Sequence, residues 1–165
     1  MLSFPIRKES PAGFPSSKKQ VEDGVDMTYW KQFETQVSGW PNIATHPHRF
    51  GGREFRLGSA EVGHVHTGGI VDIPFPRAIH DELLTQGLAQ NHRWVPNSGW
   101  VTFQMRSQED LHHALWLMRI SYLRYALKSA PDAHQLLERE SRELHLSPQL
   151  RSLLGQFVPR EQVAY

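Results

Sequence analysis

Apolar residues recur along this chain in two rhythms. Helical spacing joins Trp30, Phe33 and Val37, then Ile79, Leu83 and Leu84, then Leu111, Leu115, Met118, Tyr122 and Tyr125, with Ala114, Leu117 and Ser121 widening the last stripe. These stripes predict three helices, and local signals set their ends. Asp26 is placed to cap the first, which Gly39 and Pro41 stop after Ser38. Pro76 lies near the first turn of the second, and Gly87 suits its end. Ser107 with Asp110 approximates a capping box for the third and longest, which runs to about Ser129 before Pro131. Asp132 begins a further charged helix through Leu144, and Ser147-Pro148 opens a short last one.

The second rhythm has a period of two. Val101, Phe103 and Met105 alternate with Trp100, Thr102 and Gln104, and a partner strand is expected around His92 to Val95, joined by the turn residues Pro96-Asn97-Ser98-Gly99. Upstream, Gly58-Ser59 and Gly68-Gly69 are hairpin signals. As two-residue turns they pair Leu57 with Ala60, Arg56 with Glu61, Phe55 with Val62, His66 with Val71 and His64 with Ile73. That register puts Phe55, Leu57, Val62, His64, His66, Val71 and Ile73 towards the helices, and Arg56, Glu61, Val65 and Asp72 on the other face. A one-residue slip in the first hairpin would reverse the histidines.

The expected fold class is α+β: a small, mostly antiparallel sheet, made of a three-stranded meander plus a hairpin, with helices mainly on one face and extra C-terminal helices. Residues 1–24, rich in Pro, Ser and Lys, read as a disordered tail, 25–129 as the core domain and 130–165 as a helical appendage. There is no cysteine, hence no disulfide framework and no thiolate chemistry. A formal net charge of +1 gives no global basic field to attract nucleic acid. No stretch is long and apolar enough to span a bilayer, and the N-terminal residues lack the apolar run of a secretory signal, so a cytoplasmic protein is expected. The ten histidines are the compositional outlier.

Residues 47–126 resemble the uncharacterised "luciferase domain" family. The resemblance rests on His48-Arg49-Phe50-Gly51-Gly52, Glu54-Phe55-Arg56-Leu57-Gly58, Glu61-Val62-Gly63-His64-Val65-His66, Asp72-Ile73-Pro74-Phe75-Pro76 and Ser98-Gly99-Trp100-Val101. The family name implies little about activity: a light-emitting oxidase needs a flavin or luciferin site, and no G-x-G-x-x-G sequence lies on a strand–helix turn to hold a dinucleotide. The later half, from Gly99-Trp100-Val101 into the long helix, also resembles YjbR/MmcQ-type double-wing domains, which implies a compact α+β fold and DNA contact.

His64-Val65-His66 is the sharpest chemical feature, because residues i and i+2 of a strand face the same way. Two such imidazoles can ligate zinc or iron, but a third ligand is needed. His46, His48 and His92 are the candidates, since the expected register turns Asp72 away. Gly68, Gly69 and Ile70 stand where cupin-type and histidine-triad patterns place a further ligand, so no cofactor is evident and no metal is favoured. Packing of both rings in the sheet–helix interface is the bland alternative. In the expected register Gly51-Gly52 leaves room opposite His66, and Arg53 lies opposite His64. His48, Arg49, Arg53, His64 and His66 then line a pocket for a small carboxylate or phosphate. Acid–base work by His64 with Asp72 or Glu61 is compatible with the residue types, but no nucleophile elbow is present and no catalytic residue is named. Two other functions compete with the pocket. Arg93, Trp94 and Trp100 suit a nucleic-acid-binding wing. The C-terminal helices suit a protein partner or a second copy of the chain.

Overall fold

The computed structural model describes residues 28–160; the expected N-terminal tail and the Asp26 cap lie outside them. The elements run α1 (Tyr29–Ser38), β1 (Ile43–Pro47), β2 (Arg53–Leu57), β3 (Ala60–Val65), β4 (Ile70–Pro74), α2 (Arg77–Thr85), β5 (Gln90–Asn91), β6 (Trp100–Gln104), α3 (Gln108–Ser129), α4 (Ala133–Glu143) and α5 (Pro148–Gly155). The strands form one antiparallel sheet in the order β1-β2-β3-β4-β6-β5. This is the α+β class the two rhythms indicate. No helix among the described residues is long and apolar enough to cross a membrane.

Helix α3 is the spine of the core. Ser107 Oγ accepts the Asp110 backbone N–H at 3.1 Å, and the Asp110 carboxylate accepts the Arg106 N–H at 2.8 Å. Leu111, Ala114, Leu117, Met118, Ser121 and Leu123 are buried along it, and it contacts β2, β3, β4 and β6. Phe55, Val65, Val71, Ile73 and Val101, each fully buried, belong to the same core cluster. On one side α1 adds Phe33 and Val37, with Phe33 edge-on to Phe55. On the other side α5 packs on α2 and α4, and α4 packs on α3.

Two strands differ from expectation. β1 makes the meander four strands long rather than three. Its sequence, Ile-Ala-Thr-His-Pro, holds one large aliphatic residue, so a hydrophobic pattern barely marks it. As an edge strand it needs only one paired neighbour, and Pro47 is tolerated there. β5 is Gln90–Asn91, not His92 to Val95. His92 N–H still bonds Trp100 O at 3.1 Å, but Trp94 and Val95 have left the sheet for solvent.

The register differs in a way that matters more. Leu57 faces Ala60 and Arg56 faces Glu61 as expected, but Phe55 then faces Gly63, because a β-bulge makes Val62 an extra residue. Ser121 of α3 donates to the Val62 carbonyl at 2.7 Å, so the helix satisfies a group freed by the bulge. The β3–β4 connection is also one residue longer than a two-residue turn. His66 N–H bonds Ile70 O, Gly69 N–H bonds His66 O, and positive φ falls on Gly69 rather than Gly68. Consequently His64 pairs with Asp72 and Val65 with Val71. Val65 enters the core, and His64, His66 and Asp72 share the face away from α3. The expected helix-facing histidines and outward Val65 are both reversed, because a single inserted residue inverts a period of two.

Gly63 shows why the bulge tolerates no side chain. A Cβ there would meet Met118 Cε at 2.8 Å and Asp72 O at 3.0 Å. Gly63→Ala should therefore lower stability by about 1–3 kcal/mol, read as a lower urea midpoint with an unchanged slope. An unaltered midpoint would show that Met118 swings aside at no cost.

Candidate functional site

The register sets a polar row across the open face: His46 on β1, Glu54 on β2, His64 on β3, Asp72 on β4 and Thr102 on β6. Asp72 is its centre. With 4% of its surface exposed, it accepts from Thr102 Oγ1 at 2.5 Å on Oδ1 and from His66 Nε2 at 2.9 Å on Oδ2. His64 Nε2 lies 3.4 Å from the same Oδ2, and His92 Nε2 lies 3.5 Å from Oδ1. On its far side His64 Nδ1 bonds Glu61 Oε1 at 2.6 Å. The loop after β1, closed by Gly51 N–H on His48 O, folds His48 over this group, where its ring stacks on His64 with centroids 4.0 Å apart.

The charges follow from these contacts. Burial opposes a proton on His64, but the Asp72 and Glu61 carboxylates more than reverse that and raise its pKa from 6.5 to about 9. Burial likewise opposes ionisation of Asp72, and hydrogen bonds from His64, Thr102 and His66 hold its carboxyl well below the usual range. His48 is lowered, by burial first and then by repulsion from His64 and His66. Local hydrogen bonds also select tautomers. Trp94 N–H points at His92 Nδ1 at 3.1 Å and Phe50 N–H at His48 Nδ1 at 3.4 Å, which makes Nδ1 the acceptor and Nε2–H the donor on each ring. His64 differs: with its pKa raised it carries both protons at neutral pH, giving Nδ1–H to Glu61 and turning Nε2–H to Asp72.

Above this floor opens a cavity of about 870 Å³. Ile70 and Trp100 form its inner wall, and Arg49, Phe50, Arg93, Trp94 and Val95 form its rim. Arg49 lies over the Phe50 ring at 4.7 Å and Arg93 over the Trp94 ring at 6.0 Å.

Of the residues the sequence nominates, His48, Arg49, His64 and His66 do meet in this cavity, as does His92. Arg53 does not line it. Opposite Val65 rather than His64, it bonds Glu34 of α1 at 2.7 Å and the Gly52 carbonyl at 3.0 Å. His46 is exposed on β1, two strands and roughly 10 Å from His64. Gly52, at φ +91°, serves contact with β3: a Cβ would fall 1.9 Å from Val65 O, so the glycine opens no space above His66. Trp94 is exposed, whereas Trp100 lies inside the cavity against His64 and His92. Asp72 is the main correction, for the expected register turned it away. Thr102 and Phe50 were not singled out either. Thr102 becomes legible once Asp72 is known to face it across β4 and β6.

An open-faced α+β domain with a histidine–carboxylate floor beneath an apolar and basic rim is the class of protein these features define. Within it, residues 59–121 match the family model described as Luciferase domain, and the resemblance to that family holds over this segment. No curated protein and no solved structure matches the chain. The weaker likeness to YjbR/MmcQ-type domains gains no support.

Proposed function

We infer that the cavity binds a small organic anion with an apolar, ring-sized body. One observation carries this. Among the described residues the exposed large hydrophobic side chains are Phe50 (72%), Trp94 (78%) and Val95 (46%), and all three line this cavity. Apolar groups held in water around a concave polar floor are a common mark of a ligand site. Arg49 and Arg93 at the same rim supply guanidinium forks for a carboxylate, and His48 adds a neutral N–H donor. The tryptophan and phenylalanine faces then take the ligand body.

Titrating the full chain with a panel of aromatic carboxylates, read by tryptophan fluorescence and by melting temperature, tests this. Binding is expected for the carboxylates and weaker binding for their neutral amides. Arg49→Ala and Arg93→Ala should each weaken carboxylate binding about tenfold, the equivalent of about 1.4 kcal/mol, with little effect on the amides. Equal affinity for acid and amide, or variants that bind like the parent, would end the anion assignment.

A further inference from the structure

Three side chains that can ligate a metal converge on one small volume of the cavity floor. We propose that His64 Nε2, His66 Nε2 and Asp72 Oδ2 hold a single divalent transition-metal ion, of which zinc is the type, with its remaining positions open to the cavity. The three residues offer ligand atoms that all lie within 4.8 Å of one another. Asp72 Oδ2 is 2.9 Å from His66 Nε2 and 3.4 Å from His64 Nε2. Atoms bound to one zinc ion at about 2.0–2.1 Å stand roughly 3–3.5 Å apart, so small adjustments admit the ion.

Two of the three ligands already have the outer contacts such a site uses. Glu61 accepts from His64 Nδ1, which turns the other nitrogen of that ring inward as a ligand. Thr102 occupies Asp72 Oδ1 and leaves Oδ2 for the ion. The same logic excludes His92. Its Nδ1 receives the Trp94 N–H, so its Nε2 keeps a proton and serves as a donor to Asp72 or to a bound molecule. Two imidazoles and one carboxylate leave the ion accessible, unlike the closed four-ligand set of a structural zinc site. In the metal-free protein, protons on the imidazoles bridge to Asp72 where the ion would otherwise sit.

The site shares its cavity with the organic anion inferred above but does not depend on that ligand, so its test omits any organic molecule. The untagged full chain is stripped with a chelator, dialysed and titrated calorimetrically with zinc chloride. One saturable equivalent is expected. Asp72→Asn and His66→Gln should each weaken it at least tenfold, while His46→Ala, on the exposed edge strand, leaves it unchanged. Cobalt(II) in place of zinc should give visible absorption bands that His66→Gln removes. His66 is the more exposed ligand, so this variant carries the test even if Asp72→Asn unfolds. No saturable equivalent, or binding undiminished in His66→Gln, overturns the site, because zinc is then held only by scattered histidines or not at all. Zinc binding without carboxylate binding upholds the ion and removes the organic anion; the reverse result does the opposite.

Discussion

Replacing Asp72 with asparagine should lower the stability of the metal-free protein by about 2–3 kcal/mol at neutral pH. Asp72 is buried, accepts from Thr102 and His66, and neutralises His64. Hydrogen bonds to a charged group are each worth roughly 1.5–3 kcal/mol, and breaking a buried pair on one side leaves its partner uncompensated. Glu61 still faces His64 in the variant, and that limits the loss. Urea unfolding across a pH series, with chelator present, measures the effect and also its origin. His64 titrates at about 9 in the folded chain against 6.5 ordinarily. Its contribution is complete below pH 6.5 and is lost as pH rises through about 9. Asp72 is shifted downwards, so its contribution is present above its ordinary 3.8 and is lost as pH falls through its lower folded value. The His64–Asp72 contact is one interaction acting on both partners. The gap between parent and Asp72→Asn should therefore be widest from about pH 4 to 6.5 and narrow above pH 9. A constant gap across the alkaline range would show that the His64 charge contributes nothing to it.

Glu140→Ala should be at least as damaging, by about 3–5 kcal/mol. Arg119 of α3 reaches Glu140 of α4 through two parallel hydrogen bonds, 2.9 Å from Nε and 2.6 Å from a terminal nitrogen. The guanidinium also lies over Trp40 at 5.0 Å and Tyr122 at 4.7 Å, and Glu140 is only 3% exposed. Burial disfavours the Arg119 charge, and Glu140 more than reverses this, so its pKa is raised. Without Glu140 a part-buried cation stays between aromatic rings, with only the more distant Glu143 carboxylate to offset its charge. Arg119→Met combined with Glu140→Leu should recover most of the loss, since an apolar pair of similar volume carries no desolvation cost. A double-mutant cycle on melting temperature and urea midpoint checks this. Strictly additive effects would show that the two side chains do not act as a unit. Trp116 Nε1–H, donating to Leu144 O at 2.9 Å, should keep the end of α4 near α3 even in the single variant.

Helices were the most legible part of this chain. Ser107 with Asp110, Ser147 with Pro148, and Gly39 mark helix ends through contacts within a few residues, and the structure places them there. Asp132 holds the predicted N-cap position of α4, although its side chain makes no capping hydrogen bond. Strands were less legible in proportion to their distance from the core. β6, half-buried, reads from its alternation, whereas β1, at the sheet edge, carries almost no pattern.

The sequence by itself determined that His64 and His66 look the same way, because that depends only on the pleat of one strand. His48 and Arg49 lie one short loop before the strand that pairs with β3, so they come near those rings whichever face the rings take. Tertiary structure alone decided which face those rings occupy and that Asp72 joins them. The deciding contacts lie far apart in sequence: Ser121 on the bulged Val62 carbonyl, and Met118 against Gly63. Adding one residue to a hairpin costs little locally but exchanges the two faces of everything beyond it. Only a helix some 60 residues away, burying Val65 and leaving the imidazoles outside, makes one exchange better than the other.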